Sequence, residues 1–99
     1  MLVEQAFVEV VAGMEGGFEL AVASVASSTL LQADGFLSWT IRRGLERPSL
    51  YTFVVEWNSL DQHSQFRESD SFTEWRRVIS PFFASPPTAE HWVPIEVPA

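Results

Sequence analysis

"FLSWTIRRGLERPSLYTFVVEW", residues 36 to 57, reads as a β-hairpin, and that reading decides the fold. Phe36 to Arg43 alternates Leu37, Trp39 and Ile41 with Ser38, Thr40 and Arg42, the period of a half-buried, edge-type strand. "GLERPS" (44–49) turns the chain with glycine and proline. Leu50 to Trp57 then forms a strand apolar on both faces, as a strand in the middle of a sheet must be.

Helical patterns flank the hairpin on both sides. Upstream, Phe18, Val22, Val25 and Thr29 recur at helical spacing, so the sequence predicts a helix from about Gly17 to Gln32. Glu15 and Glu19 suit its positive N-terminal end, and "ADG" (33–35) stops it. Downstream, Ser59 is placed to cap a short helix over Leu60 to Glu68. Asp70 or Ser71 opens a second helix that reaches Ile79 before Pro81 ends it. The outermost segments are again strands. "LVEQAFVEVVA" (2–12) carries Phe7 and Val11 on one face and Ala6, Val8 and Val10 on the other. "SPPT" (85–88) links to a last strand over Ala89 to Val97, where Pro94 removes a ladder donor and points to an edge or a bulge.

The order is β-α-β-β-α(α)-β. Two right-handed crossovers wound into one sheet make a split β-α-β, ferredoxin-like α+β sandwich with a four-stranded antiparallel sheet, a single domain over residues 1–99. Helices can cover only one face of such a sheet. The first and third strands are apolar on both faces, and Trp39 is assigned to the uncovered one. That face needs a cover, most simply the same face of a twin, so the expectation is a homodimer whose two sheets close into a barrel.

Charge and composition exclude several classes. Thirteen acidic against six basic residues give a net charge of −7, which repels phosphate backbones, so no nucleic-acid partner is expected. With no cysteine there is no disulfide, thiolate nucleophile or zinc finger, and the cytoplasm is the favoured compartment. The longest uncharged run, Leu20 to Ala33, is too short and too serine-rich to span a membrane. His63 and His91 are the two histidines, without a third ligand at metal spacing, so no metal site is expected.

The stretch "VVEWNSLDQHSQFRESDSFTEWRRVISPFF" (54–83) closely resembles the antibiotic biosynthesis monooxygenase (ABM) family of small dimeric α+β-barrel proteins. Trp57 closes the third strand, Ser59 and Leu60 open the helix, and His63, Phe66, Arg67 and Ser69 form an H-x-x-F-R-x-S run, with Phe72 and Trp75 beyond. The hairpin also matches, and the resemblance covers almost the whole chain. It implies oxygenation of a small electron-rich aromatic, a phenol or anthrone of polyketide type, without metal or flavin. Triplet oxygen reacts poorly with closed-shell organics, so an enzyme without a cofactor must let a deprotonated substrate act as the reductant. Such a site needs a base or anion stabiliser, aromatic walls and exclusion of water. His63, Arg67 and Trp57 are the candidates for the chemistry, and Phe53, Phe66, Trp75 and Phe82 for the walls.

The same resemblance exposes departures. In quinone-forming relatives an asparagine stands four residues before the tryptophan that ends strand three; here that position is Phe53. Relatives that degrade haem use an asparagine, a tryptophan and a histidine where this chain aligns Glu9, Phe66 and Arg76, which fits that reaction poorly. Each candidate also has a purely structural reading. His63 shares one helix face with Phe66 and Arg67, as an acid/base at a pocket mouth or as a locally packed ring. Arg67 can stabilise a phenolate or pair with a nearby carboxylate. Trp57 and Trp75 can wall a pocket or fill the core. Trp39 and Trp92 are expected to meet the dimer partner, and His91 to face outward or into that interface. The alternative to an enzyme is a non-catalytic dimeric binding or accessory protein. A cavity of several hundred Å³ with two or more inward polar groups separates the two readings.

Overall fold

The computed structural model describes residues 1–98. Its elements run β1 (Leu2–Glu9), α1 (Glu15–Val25), β2 (Phe36–Arg43), β3 (Leu50–Trp57), α2 (Leu60–Arg67), α3 (Asp70–Ile79) and β4 (Thr88–Trp92). The four strands form one antiparallel sheet in the order β2-β3-β1-β4, so β1 and β3 are central and β4 is an edge. This is the ferredoxin-like α+β arrangement expected from the element order.

Alternation on β3 builds the core. Tyr51, Phe53, Val55 and Trp57 point toward the helices and are buried, while the residues between them are only half-buried. Leu2, Val8 and Val10 extend that layer from β1, and Phe18, Val22 and Val25 of α1 with Phe66, Trp75 and Ile79 of the other helices close over it. The other face of the sheet stays open. Phe7 and Trp92 are 36% and 52% exposed there, beside half-buried Val3 and Val54. Among the described residues no helix is long and apolar enough to cross a membrane.

Four expectations need correction. The first helix ends at Val25, and two 3-10 turns, Ala26–Ser28 and Leu30–Gln32, complete the segment. Ser28 and Thr29 donate their hydroxyls to the Val25 carbonyl at 3.2 and 2.7 Å, so side chains compete with the backbone for the acceptor that would continue the helix. Regular pairing of β1 stops at Glu9, after which Val10 makes an isolated bridge to Phe83. The last strand ends at Trp92, short of Pro94, where no N–H is available to the ladder. Finally, a bulge between Phe36 and Ser38 leaves Leu37 half exposed and shifts the parity of β2. Trp39, paired with Val55, faces the helices, edge-on to Trp75 at 6.4 Å, and not the open face.

Gly35 introduces β2 with φ +84°, a conformation that favours glycine, and its carbonyl accepts from Asn58 N–H at 2.7 Å. Ser59 and Ser69 then cap α2 and α3, accepting from the N–H groups of Gln62 and Phe72. These turns set the angle at which α2 descends onto the end of the sheet.

Candidate active site

Three elements meet where β1, β4 and α2 converge. Glu4 and His91 are register partners on β1 and β4, so their side chains emerge on the helix side next to each other. From above, α2 lowers His63 between them. Its Nε2 lies 3.2 Å from Glu4 Oε1, and its Nδ1 lies 2.8 Å from His91 Nε2. Trp57, fully buried at the end of β3, stacks on the His63 ring at 4.9 Å and donates its Nε1–H to Glu4 Oε1 at 3.0 Å.

These contacts assign the hydrogens. An ionised carboxylate only accepts, so the ring nitrogen of His63 that faces Glu4 carries the hydrogen. In the neutral ring, Nδ1 is then the acceptor, and His91 Nε2–H donates to it. The Nδ1 lone pair of His91 is thereby left free. Burial pushes the His63 imidazole below its ordinary value; Glu4 opposes the shift, while His91 and Arg67 reinforce it. A line Glu4–His63–His91 can take a proton at His91 Nδ1 and release one from His91 Nε2 to His63 Nδ1, where Glu4 stabilises the new charge.

This line opens on a cavity of about 260 Å³ between the sheet and the helices. Glu4, His63, Arg67, Arg76 and His91 supply its polar lining, and Phe53, Phe72, Trp75, Ile79 and Phe83 much of its apolar wall. The sequence-predicted His63, Arg67, Phe53 and Trp75 thus come together on one cavity. Trp57, Phe66 and Phe82 do not line it. Trp57 sits behind His63, Phe66 packs against Trp57 and Phe72, and Phe82 packs on Phe18 beside Gly17. His91, expected to face outward or into an interface, turns inward because it shares the parity of Ala89, not of Trp92.

Sequence reasoning passed over Glu4, His91 and Arg76. The first had a legible signal. Glu4 shares the inward parity of Ala6, Val8 and Val10, and a carboxylate at such a position demands partners.

A second, slightly larger groove of about 340 Å³ runs between α1 and β2, lined by Phe18, Val22, Trp39 and Ile41 among others. Its polar groups already satisfy one another. The Tyr51 hydroxyl donates to Glu19 at 2.6 Å, and Arg43 pairs with the same carboxylate at 3.5 Å. Burial first, and then the Glu19 bond, push the Tyr51 hydroxyl up to about 12. With no free acid or base, this groove offers no chemistry to match the histidine cavity.

Residues 1–78 match the family model for antibiotic biosynthesis monooxygenase. The chain belongs to that family. A crystal structure of a Bordetella bronchiseptica protein, provisionally named an antibiotic biosynthesis monooxygenase, superposes with a TM-score of 0.89 and 34% identity, covering 96% of this chain and 97% of that one. The Bacillus subtilis protein YczJ, itself uncharacterised, is 29% identical over 93% of this chain and 97% of its own length. A conserved Methanosarcina mazei protein shares the ABM fold at a TM-score of 0.80 and 20% identity, covering 92% of this chain and 89% of that one. Cavity and histidine line therefore lie in an ABM fold held over nearly the whole chain.

Proposed function

We propose that this ABM protein is a cofactor-independent monooxygenase that oxidises a small electron-rich aromatic, a phenol or anthrone, with molecular oxygen. The observation that carries the reading is the Glu4–His63–His91 line ending on an aromatic-walled cavity. Proton removal from a phenol by His91 Nδ1, relayed to His63, leaves a phenolate rich enough to pass an electron to oxygen. Radical recombination forms a ring hydroperoxide, and loss of water leaves a quinone. One oxygen atom enters the ring, the other departs as water, and the substrate supplies all four electrons. Arg67 steadies the phenolate, and Phe53 and Trp75 hold the ring flat and dry. Trp57 acts from behind, by fixing Glu4 and His63, and not by touching substrate.

We further propose that the protein works as a homodimer in the cytoplasm, two open sheet faces meeting through Phe7, Val54 and Trp92. Support comes from the apolar residues left uncovered on that face and from the chain's cysteine-free composition.

One observation favours a second reading. Phe53 stands on the cavity wall where the sequence comparison with quinone-forming relatives calls for asparagine, which suits a binding protein without a reaction. Oxygen uptake with a panel of anthrones and hydroquinones in chelator-treated buffer separates the two. The expected result is uptake that falls in His63→Ala and His91→Gln. No uptake with any compound leaves the binding protein as the better reading.

A further inference from the structure

The charges around this cavity are arranged for a particular kind of ligand. Of the six arginines, Arg43, Arg47 and Arg77 pair with Glu19, Glu9 and Glu74. Arg67 and Arg76, the two that line the histidine cavity, pair with no carboxylate among the described residues. Arg42, on the edge strand β2, is the third without such a partner, and it lies away from the cavity.

Arg76 is also held in place. Its guanidinium lies over the rings of Phe72 and Phe83, at 5.8 and 5.3 Å from their centroids. Its Nε is shut away from solvent with no hydrogen-bond partner, whereas its terminal nitrogens keep accessible surface. A guanidinium part-stripped of water, flanked by aromatic rings and lacking a counter-ion is a preorganised half of an ion pair. The one carboxylate in the cavity, Glu4, does not supply the other half: among the described residues neither arginine lies within ion-pair distance of it, and its Oε1 is held by Trp57 and His63.

We infer that the ligand is a planar aromatic acid of one or two rings, its ring against Trp75 and Phe53 and its carboxylate on Arg76 and Arg67. This rests on the reading of the histidine cavity as the functional site. It adds a charge requirement which oxygen chemistry alone does not impose. The size follows from the cavity, which at about 260 Å³ falls at the small end of ligand pockets. The charge follows from the two arginines, which outnumber the single carboxylate, Glu4, in the cavity lining.

Anaerobic titration with 2-naphthoate and its neutral isostere 2-naphthamide, read by tryptophan fluorescence, tests the inference. A charge-assisted contact predicts that the acid binds roughly tenfold or more tightly than the amide, with the difference shrinking as salt is raised. In Arg76→Gln the two affinities converge, the acid losing far more than the amide. Arg67→Gln, at an exposed position, narrows the gap without challenging folding and serves if the Arg76 variant melts early. Equal affinities in the wild type, or a preference that survives both substitutions, overturn the inference. Because no turnover is measured, an enzyme that consumes no oxygen can still pass this test, and an active one can still fail it.

Discussion

His63 Nδ1 and His91 Nε2 lie 2.8 Å apart, joining a helix to the far edge strand through two imidazoles. Since Glu4 occupies the other nitrogen of His63, the His91 ring, which lines the cavity, is the one left with a free lone pair. Removing either ring is expected to slow oxygen uptake by about 10² to 10⁴-fold, the range for a positioned acid/base. His91→Gln with undiminished turnover would remove the relay from the mechanism.

Turnover is expected to rise with pH and then level off, because the relay accepts a proton only when both rings are neutral. Burial keeps His63 below its ordinary value of about 6.5, so its contribution to the rising limb lies on the acid side of neutrality. A pH profile of kcat/KM checks this. A rate that falls as pH rises through that range contradicts it.

Stability carries the same signature. In the unfolded chain His63 takes up its proton at about 6.5, and in the folded chain only at lower pH. Between those values the unfolded state binds more protons, so folding stability declines as pH falls from about 6.5 toward the folded value. Urea unfolding at pH 7.5 and pH 5.5 should show the decline, and His63→Phe should flatten it.

Trp57→Phe removes the indole N–H from Glu4 and opens space beneath His63. The expected loss is about 2 to 4 kcal/mol, the sum of a large-to-small change in a sealed core and one lost bond to a charged group. Denaturant titration measures it. Turnover of the still-folded variant should also drop, with kcat affected more than KM, since the tryptophan does not line the cavity.

Two glycines make a paired control. At Gly35 a Cβ would collide with the Gln62 side chain, and φ is +84°, so Gly35→Ala should cost about 1 to 3 kcal/mol. At Gly16, inside α1 with open space around it, Gly16→Ala should instead gain about 0.5 to 1 kcal/mol. Thermal melts of the two should move in opposite directions.

The open sheet face is testable by charge. Phe7→Glu places a carboxylate where a twin's sheet would pack, so light scattering should show a dimer for the wild type and a monomer for the variant. A wild type that runs as a monomer at micromolar concentration removes the proposed barrel.

How far the chain could be read from its letters varied by element. The bounds of β2 and β3 were legible to the residue, because turn signals bracket each run. α3 was nearly as plain, with Phe72, Trp75 and Ile79 on one stripe and its start at Asp70 or Ser71, although its cap, Ser69, was not named. Trp39 was misplaced because alternation groups it with Ile41 but does not say which way that set points; pairing with Val55 and Phe53 turns both toward the helices. His91 was missed for a different reason. Its meaning arises only when β4 pairs with β1 and sets it against Glu4, a contact spanning most of the chain that no local spacing encodes. Arg76 escaped because an unpaired charge is defined by what surrounds it in space.

The five residues of β4 have a single strand neighbour and are all exposed by residue area, yet they bring His91 to the cavity. The core lies elsewhere, under α1, α2 and α3. Integrity of the globule and competence of the histidine pair are thus separable. Fraying of this edge from β1 would disconnect the relay while leaving the buried interior sealed.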